Sequence, residues 1–552
     1  MTIQASTRTH TRPPTPPTRR PGQASRPNRG QGGGRRRFRN GKPLVALSVV
    51  ATVTVFLAFP LLSSIDAPDR SKVALGGALL TMMGFVSLPV MAPSGVRISL
   101  ATFRVGAWMN ISFILQFGLT SFLWVVDTPQ DVNRVQISWI PNAQMASAVG
   151  WLCVIIGYRL GSGLRFSGTR ARRREAWRDR AISIRGVGLL MVLGVAGTAI
   201  NIASNNYGFA SDVTAQLNAP SPFTYMFALM GGLLGVAVLL ASGEYARTRA
   251  PSWLLILVVA LSISLLNGTF SGMKSALIQP FLAALLGFGM VRRRLPWKSL
   301  IATALAYLLI VAPFVYGFRI AIRQGSERKA AIDVITDLPG TIRESFDNAE
   351  GFKVESAFWR FSQVSYVAPV TELSPTAVPF RSPVELVQAP LISIVPRLVW
   401  PGKPVLDVGL QLTQEYYDSN TVNAAAITPF GDLYRHGGWL PLAFGSVVLG
   451  LLARVIDNLW RALRWPLGAI LTLSTFFMMV RMELTMLEIL YALPGLVFIM
   501  FISWWILRST SDPKPGESVV PLGEVEPEAV EAAAAELESE SGRNSIQALQ
   551  TS

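Results

Sequence analysis

The chain has 552 residues, of which 50% are hydrophobic and only 15% charged, with a mean hydropathy of +0.39. An ordinary soluble domain carries about 25% charged residues, and a chain this long and this apolar cannot bury all its hydrophobic surface in water-soluble domains. We therefore predict an all-α polytopic integral membrane protein. One cysteine and two histidines exclude an intramolecular disulfide and a Cys/His zinc site. The absence of a P-loop argues against an ATP-driven pump.

The formal charge of +17 is unevenly distributed along the chain. Residues 1–43 form a Pro-, Gly- and Arg-rich tail with 11 Lys and Arg and no acid, and residues 508–552 form an acidic tail. Both tails are predicted to be disordered, because they contain too few apolar residues to form a core. The basic tail is interpreted as attracted to anionic membrane lipids or as a simple anchor. The positive charge that remains between the tails is more typical of a membrane protein with basic loops than of a nucleic-acid-binding protein.

Between the tails the sequence contains twelve apolar runs of spanning length, each of roughly 20 residues, and eleven or thirteen spans stay open as alternatives. Nine runs fall within residues 44–318 and three within 438–507. The runs cover 44–62, 73–92, 105–126, 144–161, 185–203, 223–242, 252–270, 276–291, 299–318, 438–456, 466–480 and 485–507. With the N-terminus inside, the short inner loops hold 19 Lys and Arg and the short outer loops hold 5. This asymmetry predicts that both termini are cytoplasmic.

Residues 319–437 interrupt the spans with a connection of 119 residues, predicted to lie on the outer face. Structureless connections longer than about 15 residues are uncommon unless they are functional. This one carries 11 basic and 13 acidic residues among many aromatic and aliphatic ones, so we expect it to fold as a cap that holds the active site. Its stretch 384–400 is apolar but contains Pro390 and Pro396, and is expected to re-enter the membrane edge or lie along it.

Four cations are predicted to lie just outside the membrane, against the orientation rule. Arg319 and Arg323 follow the ninth run and share a face if its helix continues, while Lys274 and Arg481 occupy short outer turns. A diphosphate group would explain them, because guanidinium forks grip phosphate oxygens and Lys adds a point charge. The alternative is snorkelling to lipid headgroups or pairing with acids of the outer loop.

The densest chemistry lies in residues 394–438, where polar, aromatic and cationic side chains are interleaved with turn-forming Pro and Gly. Aromatic faces stack on sugar rings and carboxylates accept hydrogen bonds from sugar hydroxyls, so the pattern favours a sugar site. An ordinary loop with mutually paired charges is the alternative. The residues concerned are Arg397, Lys403, Asp407, Glu415, Tyr416, Asp432, Tyr434, Arg435 and His436.

At this segment the sequence resembles the oligosaccharide repeat-unit polymerase family, the Wzy-type O-antigen and capsule polymerases. The resemblance is carried by the run PRLVWPGKP from Pro396 to Pro404, then Gly409, Tyr416-Tyr417 and Thr428, then GDLY at 431–434 with Gly437-Gly438. Asp432 stands where Glu is commoner in the family. Upstream, SGMKSAL at 271–277 is similar to another family element, with Lys274 in place of Arg.

The resemblance implies a glycosyltransferase of the bacterial plasma (inner) membrane. It would polymerise undecaprenyl-diphosphate-linked oligosaccharide repeat units into an O-antigen, capsule or exopolysaccharide at the outer face, without metal or cofactor. A diphosphate leaving group needs charge stabilisation more than a proton donor, and the acceptor hydroxyl needs a base. A chain-length regulator and a flippase are expected partners, and no nucleic acid.

The residues assigned to this site fall into two groups. The candidate base or sugar-binding residues are Asp432, Asp407 and His436. The candidate substrate-binding residues are Lys274, Arg319, Arg323, Arg360, Arg397, Lys403, Trp400, Tyr416, Tyr434 and Arg481.

Three other functions compete with polymerisation. A glycan ligase shares the topology and the cations but transfers finished polymer to another acceptor. A lipid-phosphate sugar transferase usually places its acids in the first outer loop, which here offers only Asp66 and Asp69. A polysaccharide or lipid transporter predicts charge inside the bundle, where Glu488 is the clearest carboxylate.

Overall fold

The computed structural model describes residues 41–91, 104–126, 135–164, 182–204, 223–271, 273–292, 296–324, 327–328, 331–352, 359, 361–395, 399–400, 402–403, 408–417, 427–463 and 465–510. Within these residues nearly all regular structure is helical. Eleven of their helices are long and apolar enough to cross a membrane. The prediction of an all-α polytopic membrane protein is therefore confirmed.

Nine spanning segments precede the long connection, and they lie close to the predicted runs. Their helices are α1 (Gly41–Leu57) with the short α2 (Phe59–Ser64), α3 (Asp69–Met91), α4 (Val105–Val126), α5 (Ile140–Leu160), α6 (Ile184–Ala203), α7 (Thr224–Thr248), α8 (Pro251–Ser271), α9 (Lys274–Arg292) and α10 (Trp297–Ala321). α10 ends at Ala321, and Arg323 begins a two-residue strand, β1 (Arg323–Gln324), paired antiparallel with β2 (Glu327–Arg328). The helix thus does not continue to Arg323, so Arg319 and Arg323 do not share a helical face.

Six short helices follow in the described part of the connection. They are α11 (Ala331–Thr336), α12 (Leu338–Asp347), α13 (Val364–Leu373), α14 (Val384–Ile394), α15 (Val408–Tyr417) and α16 (Thr428–Arg435). The chain then forms α17 (Trp439–Leu463), α18 (Leu467–Met479) and α19 (Met486–Thr510). α18 coincides with the predicted run at 466–480 but has only 13 residues, so a twelfth span stays a prediction.

Helices α13 to α16 of the connection pack into the same core as the spans. α4 contains a π turn at Ile114–Gly118, and the carbonyl of Gln116 in that turn accepts a hydrogen bond from the backbone N–H of Gln363 at 2.9 Å. Phe430 of α16 packs on Phe117 with 5.4 Å between ring centroids. We call the end of the bundle that carries these helices the loop face, and the other end the opposite face.

Small residues let α5 and α17 approach closely along their length. A Cβ on Gly157 would lie 1.9 Å from the carbonyl oxygen of Val447, and one on Gly450 would lie 2.0 Å from that of Val154. Close backbone approach through glycine is the usual way in which spanning helices associate, because lipid tails remove the hydrophobic drive between them. This contact fixes the position of α16, which directly precedes α17.

A polar cluster joins α4, α5 and α17 at the opposite face. Asp457 Oδ1 accepts from Val105 N at 2.9 Å, and its Oδ2 accepts from Gly106 N at 3.3 Å and from the Tyr158 hydroxyl at 2.6 Å. The carboxylate thus caps the N-terminus of α4 from a distant part of the chain. Arg104, which is buried, interacts electrostatically with Asp457.

Candidate active site at the loop face

α16 is a fully buried eight-residue helix that presents polar side chains to the loop face. Pro429 is placed in its first turn, where a missing N–H costs nothing. Gly437 and Gly438 close the helix at φ of 130° and 76°, values that L side chains rarely adopt. The N–H of Gly438 donates to the Tyr434 carbonyl at 2.6 Å. This sharp, glycine-dependent exit holds the last turn of α16 in place.

Asp432 and His436, which are fully buried, lie on one face of this last turn. Asp432 Oδ2 accepts from the backbone N–H of Leu487, at the N-terminus of α19, at 2.9 Å. Among the described residues its Oδ1 has no hydrogen-bond partner, and it lies 3.5 Å from His436 Nδ1. His436 Nδ1 is 2.7 Å from the Asp432 carbonyl oxygen, and no described residue makes a hydrogen bond with His436 Nε2. The described part of the chain thus leaves a buried carboxylate oxygen and a buried imidazole nitrogen without hydrogen bonds.

This pair and four further charged side chains together form a ring. Glu385 Oε2 lies 3.6 Å from both His436 Nε2 and Arg381 Nη1. Arg381 donates to Glu415 Oε1, and Arg435 donates to Glu415 Oε2 at 2.7 Å. The last contact, between Arg435 Nη1 and Asp432 Oδ1, is 4.0 Å. We call the six residues the charged ring; they are Arg381, Glu385, Glu415, Asp432, Arg435 and His436.

The charged ring is buried on one side and open on the other. The α16 members are buried, while the side chains of Arg381, Glu385 and Glu415 are 28%, 40% and 26% exposed. With a neutral histidine the ring holds three carboxylates against two guanidinium groups, so its charge is −1, and one added proton balances it. Such an arrangement suits a group that accepts a proton from a bound hydroxyl.

Arg381 is the cation on the open side of the ring. Its backbone N–H donates to the Arg435 carbonyl at 2.9 Å, which ties the segment before α14 to the end of α16. Burial lowers the pKa of the Arg381 guanidinium, but the hydrogen bond and charge of Glu415 outweigh burial and raise that pKa above its ordinary value. Arg381 therefore stays charged and partly accessible.

Two of the predicted aromatic residues line the surroundings of the ring. The Tyr416 hydroxyl is 2.8 Å from the Ser374 hydroxyl, and Tyr434 packs edge-on against Phe380 and Trp439. Burial raises the pKa of both tyrosines, so their hydroxyls stay protonated. Their role in binding a glycan stays a prediction.

Lys403 and Trp400 lie beside α14 and α19 rather than on the ring. Lys403 Nζ donates to the Val395 carbonyl at 3.0 Å and lies 5.6 Å from the centre of the Tyr491 ring. It therefore supports the C-terminal end of α14 against α19. Trp400 is exposed.

The remaining described cations lie outside the charged ring. Lys274 Nζ lies 5.4 Å from the centre of the Phe352 ring, and Arg319 is partly exposed in the last turn of α10. Arg481 pairs with Glu483 at 2.9 Å, which is the mutual pairing expected for a turn between spans. Their binding of a diphosphate stays a prediction.

Some predicted site residues cannot be placed. Arg360, Arg397 and Asp407, like the side chain of Arg323, lie outside the described residues. Their assignments stay predictions based on the sequence.

Four members of the charged ring were not assigned to the site from the sequence: Arg381, Glu385, Glu415 and Arg435. Glu415 and Arg435 lie in the dense segment 394–438, whose composition favours a sugar site. Arg381 and Glu385 precede that segment, in an apolar stretch. Their spacing of four residues just at the start of a helix is the signal that indicates a shared face.

Glu488 has a structural reason to lie at the start of a span. Thr485 Oγ1 accepts from the Glu488 N–H at 3.1 Å, while Glu488 Oε2 accepts from the Thr485 N–H at 2.8 Å. This reciprocal pair is a capping box for α19, and the pattern T-x-x-E before an apolar run announces it in the sequence.

Comparison with known proteins identifies a family for this chain. The model of the family described as "Domain of unknown function (DUF8712)" matches residues 194–511. The match covers more than half of the chain and all six residues of the charged ring, so the chain belongs to that family. No curated protein and no solved structure matches the chain.

Proposed function

We propose that this member of the DUF8712 family is a membrane glycosyltransferase that polymerises glycan repeat units carried on a lipid diphosphate, with the charged ring as its proton-accepting centre. The observation that supports this most is Oδ1 of Asp432, which is buried beside His436 and accepts no hydrogen bond from the described residues. A buried carboxylate that is left half-satisfied is costly unless it has another partner, such as a substrate hydroxyl. The second support is the resemblance in the PRLVWPGKP and GDLY runs.

In the proposed reaction a sugar hydroxyl of one lipid-linked glycan attacks the anomeric carbon of another. The hydroxyl proton passes to Asp432 Oδ1, or through the charged ring to His436 Nε2. A new glycosidic C–O bond forms. The bond between the anomeric carbon and the diphosphate breaks, and the lipid diphosphate leaves with the electron pair. Cations stabilise that leaving charge; Arg381 is the accessible one on the ring, and the sequence adds Lys274, Arg319 and Arg397.

The proposal also includes an orientation and a location. The excess of Lys and Arg in the predicted inner loops, 19 against 5, supports placing the loop face outside and both termini inside a bacterial plasma membrane. The undecaprenyl-diphosphate-linked glycan, the chain-length regulator and the flippase remain proposed partners, as do the anionic lipids for the basic tail.

A glycan ligase is the alternative that shares this site, since it uses the same donor and the same base. Glu488 gives little support to the transporter alternative, because the capping box explains this residue without any role in transport. The product separates the two enzymes: loss of a polymerase leaves single lipid-linked repeat units, whereas loss of a ligase leaves intact lipid-linked polymer.

The test is Asp432→Asn with Glu488→Gln as its matched control. The asparagine keeps an oxygen for the Leu487 N–H but removes the base, so we expect polymer formation to fall by about 100-fold or more, with single repeat units accumulating on the lipid. Glu488→Gln also alters a carboxylate at the start of α19, but glutamine retains the capping box, and we expect normal polymer. Both are read as lipid-linked glycan profiles at equal protein level. Normal polymer from Asp432→Asn would overturn the base assignment.

A further inference from the structure

α14 has two chemically opposite faces. Glu385, Ala389 and Ser393 follow one another at intervals of four and share one face. Ala389 and Ser393 are buried, and Glu385 joins the charged ring. The opposite face is a stripe of four aliphatic side chains at intervals of three and four residues, each between 54% and 70% exposed. The stripe consists of Val384, Val387, Leu391 and Ile394.

The surroundings of α14 indicate that lipid covers this stripe. α14 packs along α19, which is a spanning helix. α19 also exposes large apolar side chains, including Val497 and Phe501. A continuous aliphatic stripe in water would lose the free energy that apolar burial supplies, whereas in hydrocarbon it loses none. α14 therefore forms a wall one helix thick between the charged ring and the bilayer.

We infer that the stripe binds the isoprenoid chain of the lipid-linked substrate, an inference that rests on the proposed function. Arg381 lies three residues before Val384, in the non-helical segment that leads into α14, so a diphosphate at Arg381 leaves its lipid chain at the start of the stripe. α14 has 11 residues, and the stripe then guides about 16 Å of chain at 1.5 Å per residue. The substrate thus reaches the ring sideways from the bilayer, with its headgroup on the Glu385 side of α14 and its chain on the other.

The experiment uses the full chain in lipid nanodiscs and its single cysteine. Cys153→Ala gives a cysteine-free background, into which Leu391→Cys is introduced and labelled with the fluorophore NBD. Quenching by doxyl-labelled phosphatidylcholine reports contact with lipid, and quenching by iodide reports contact with water. Val497→Cys on α19 is the control for a lipid-facing position, and Asp347→Cys, exposed at the end of α12, is the control for water. Undecaprenyl diphosphate is then added, with dioleoylphosphatidylglycerol as the anionic control.

We expect the label at Leu391→Cys to be quenched by doxyl lipid as at Val497→Cys and to be shielded from iodide. At a concentration equal to its Kd, undecaprenyl diphosphate should remove about half of the doxyl quenching at Leu391→Cys and none at Val497→Cys. Iodide quenching as strong as at Asp347→Cys overturns the inference. Doxyl quenching that undecaprenyl diphosphate does not change, or that phosphatidylglycerol changes equally, assigns the stripe to bulk lipid and also overturns it. Because no turnover is measured, this result and the Asp432→Asn result fail independently.

Discussion

Asp432 at the loop face and Asp457 at the opposite face are both buried carboxylates that accept a backbone N–H from the start of a spanning helix. The two carboxylates differ in how many of their oxygens are hydrogen-bonded. Both oxygens of Asp457 are taken, by two N–H groups and the Tyr158 hydroxyl. Among the described residues Asp432 keeps one oxygen without a hydrogen bond, 3.5 Å from His436, whose Nε2 also makes no hydrogen bond with them.

This difference separates a structural carboxylate from a chemical one. Burial and a helix N-terminus are common to both, so neither feature alone indicates function. A carboxylate with both oxygens hydrogen-bonded stabilises the bundle. A buried carboxylate oxygen without a hydrogen bond lowers stability but can bind a substrate group. Substitutions at the opposite face should therefore change stability, and substitutions at the loop face should change turnover.

The largest effect on stability is expected from Asp457→Ala. It leaves two N–H groups, the Tyr158 hydroxyl and the nearby Arg104 without their carboxylate, and removing one partner of a buried charged pair typically costs about 3–5 kcal/mol. Thermal unfolding in detergent measures the loss, and polymer formation per folded molecule should be unchanged. Asp66→Ala, at an exposed position, is the control and should stay within about 0.5 kcal/mol. A normal melting temperature for Asp457→Ala would contradict the structural role assigned to Asp457.

Glu415→Gln is expected to affect both stability and turnover. Glutamine cannot neutralise Arg381 and Arg435 together, and a hydrogen bond to a charged group is worth about 1.5–3 kcal/mol. Unfolding and lipid-linked glycan profiles measure the two effects. Glu372→Gln is the control, since the Glu372 carboxylate lies outside the charged ring and accepts an exposed hydrogen bond from Asn142. Stability and polymer both at wild-type level in Glu415→Gln would mean that the ring is not an electrostatic unit.

A smaller effect is expected from Tyr158→Phe. The change removes one of three donors to Asp457 but leaves the ring that stacks below Arg454, so we expect a loss of about 1–2 kcal/mol in the free energy of unfolding. Polymer yield per folded molecule should not change. Tyr245→Phe is the control because its contact with Arg249 uses the aromatic face. Reduced turnover without reduced stability would contradict a structural role.

The smallest effect is expected from Tyr416→Phe, which removes the hydrogen bond with Ser374 and should cost about 0.5–1.5 kcal/mol. Because burial raises the pKa of Tyr416 in the folded state, its neutral form is favoured by folding. Its contribution is complete below the ordinary pKa of 10.0 and is lost as the pH rises through the folded pKa. The stability gap between wild type and Tyr416→Phe should therefore narrow above pH 10.0. A gap that widens there would contradict the burial of this hydroxyl.

Local patterns in the sequence were sufficient for some parts of this molecule. The capping box at Thr485 and Glu488 is readable in the sequence as T-x-x-E, whereas hydropathy alone marks Glu488 as the clearest carboxylate inside a span. Arg319 and Arg323 would share a face if the helix of Arg319 continued, but α10 ends at Ala321. The sequence predicts Asp432 and His436 of the charged ring, with Tyr434 beside them, but it assigns no site role to the other four members.

The sequence by itself determined the membrane class, the nine spanning segments before the long connection and the two long ones after it. Hydropathy acts over about 20 consecutive residues, and each such segment must satisfy its own backbone in lipid. Only the tertiary structure decided which charges meet. Glu385 reaches His436, and Arg381 reaches Glu415, because α14 lies against α19 while α16 is held by α5 and α17. That placement depends on close contacts between distant helices, such as Gly157 with Val447, which no local pattern encodes.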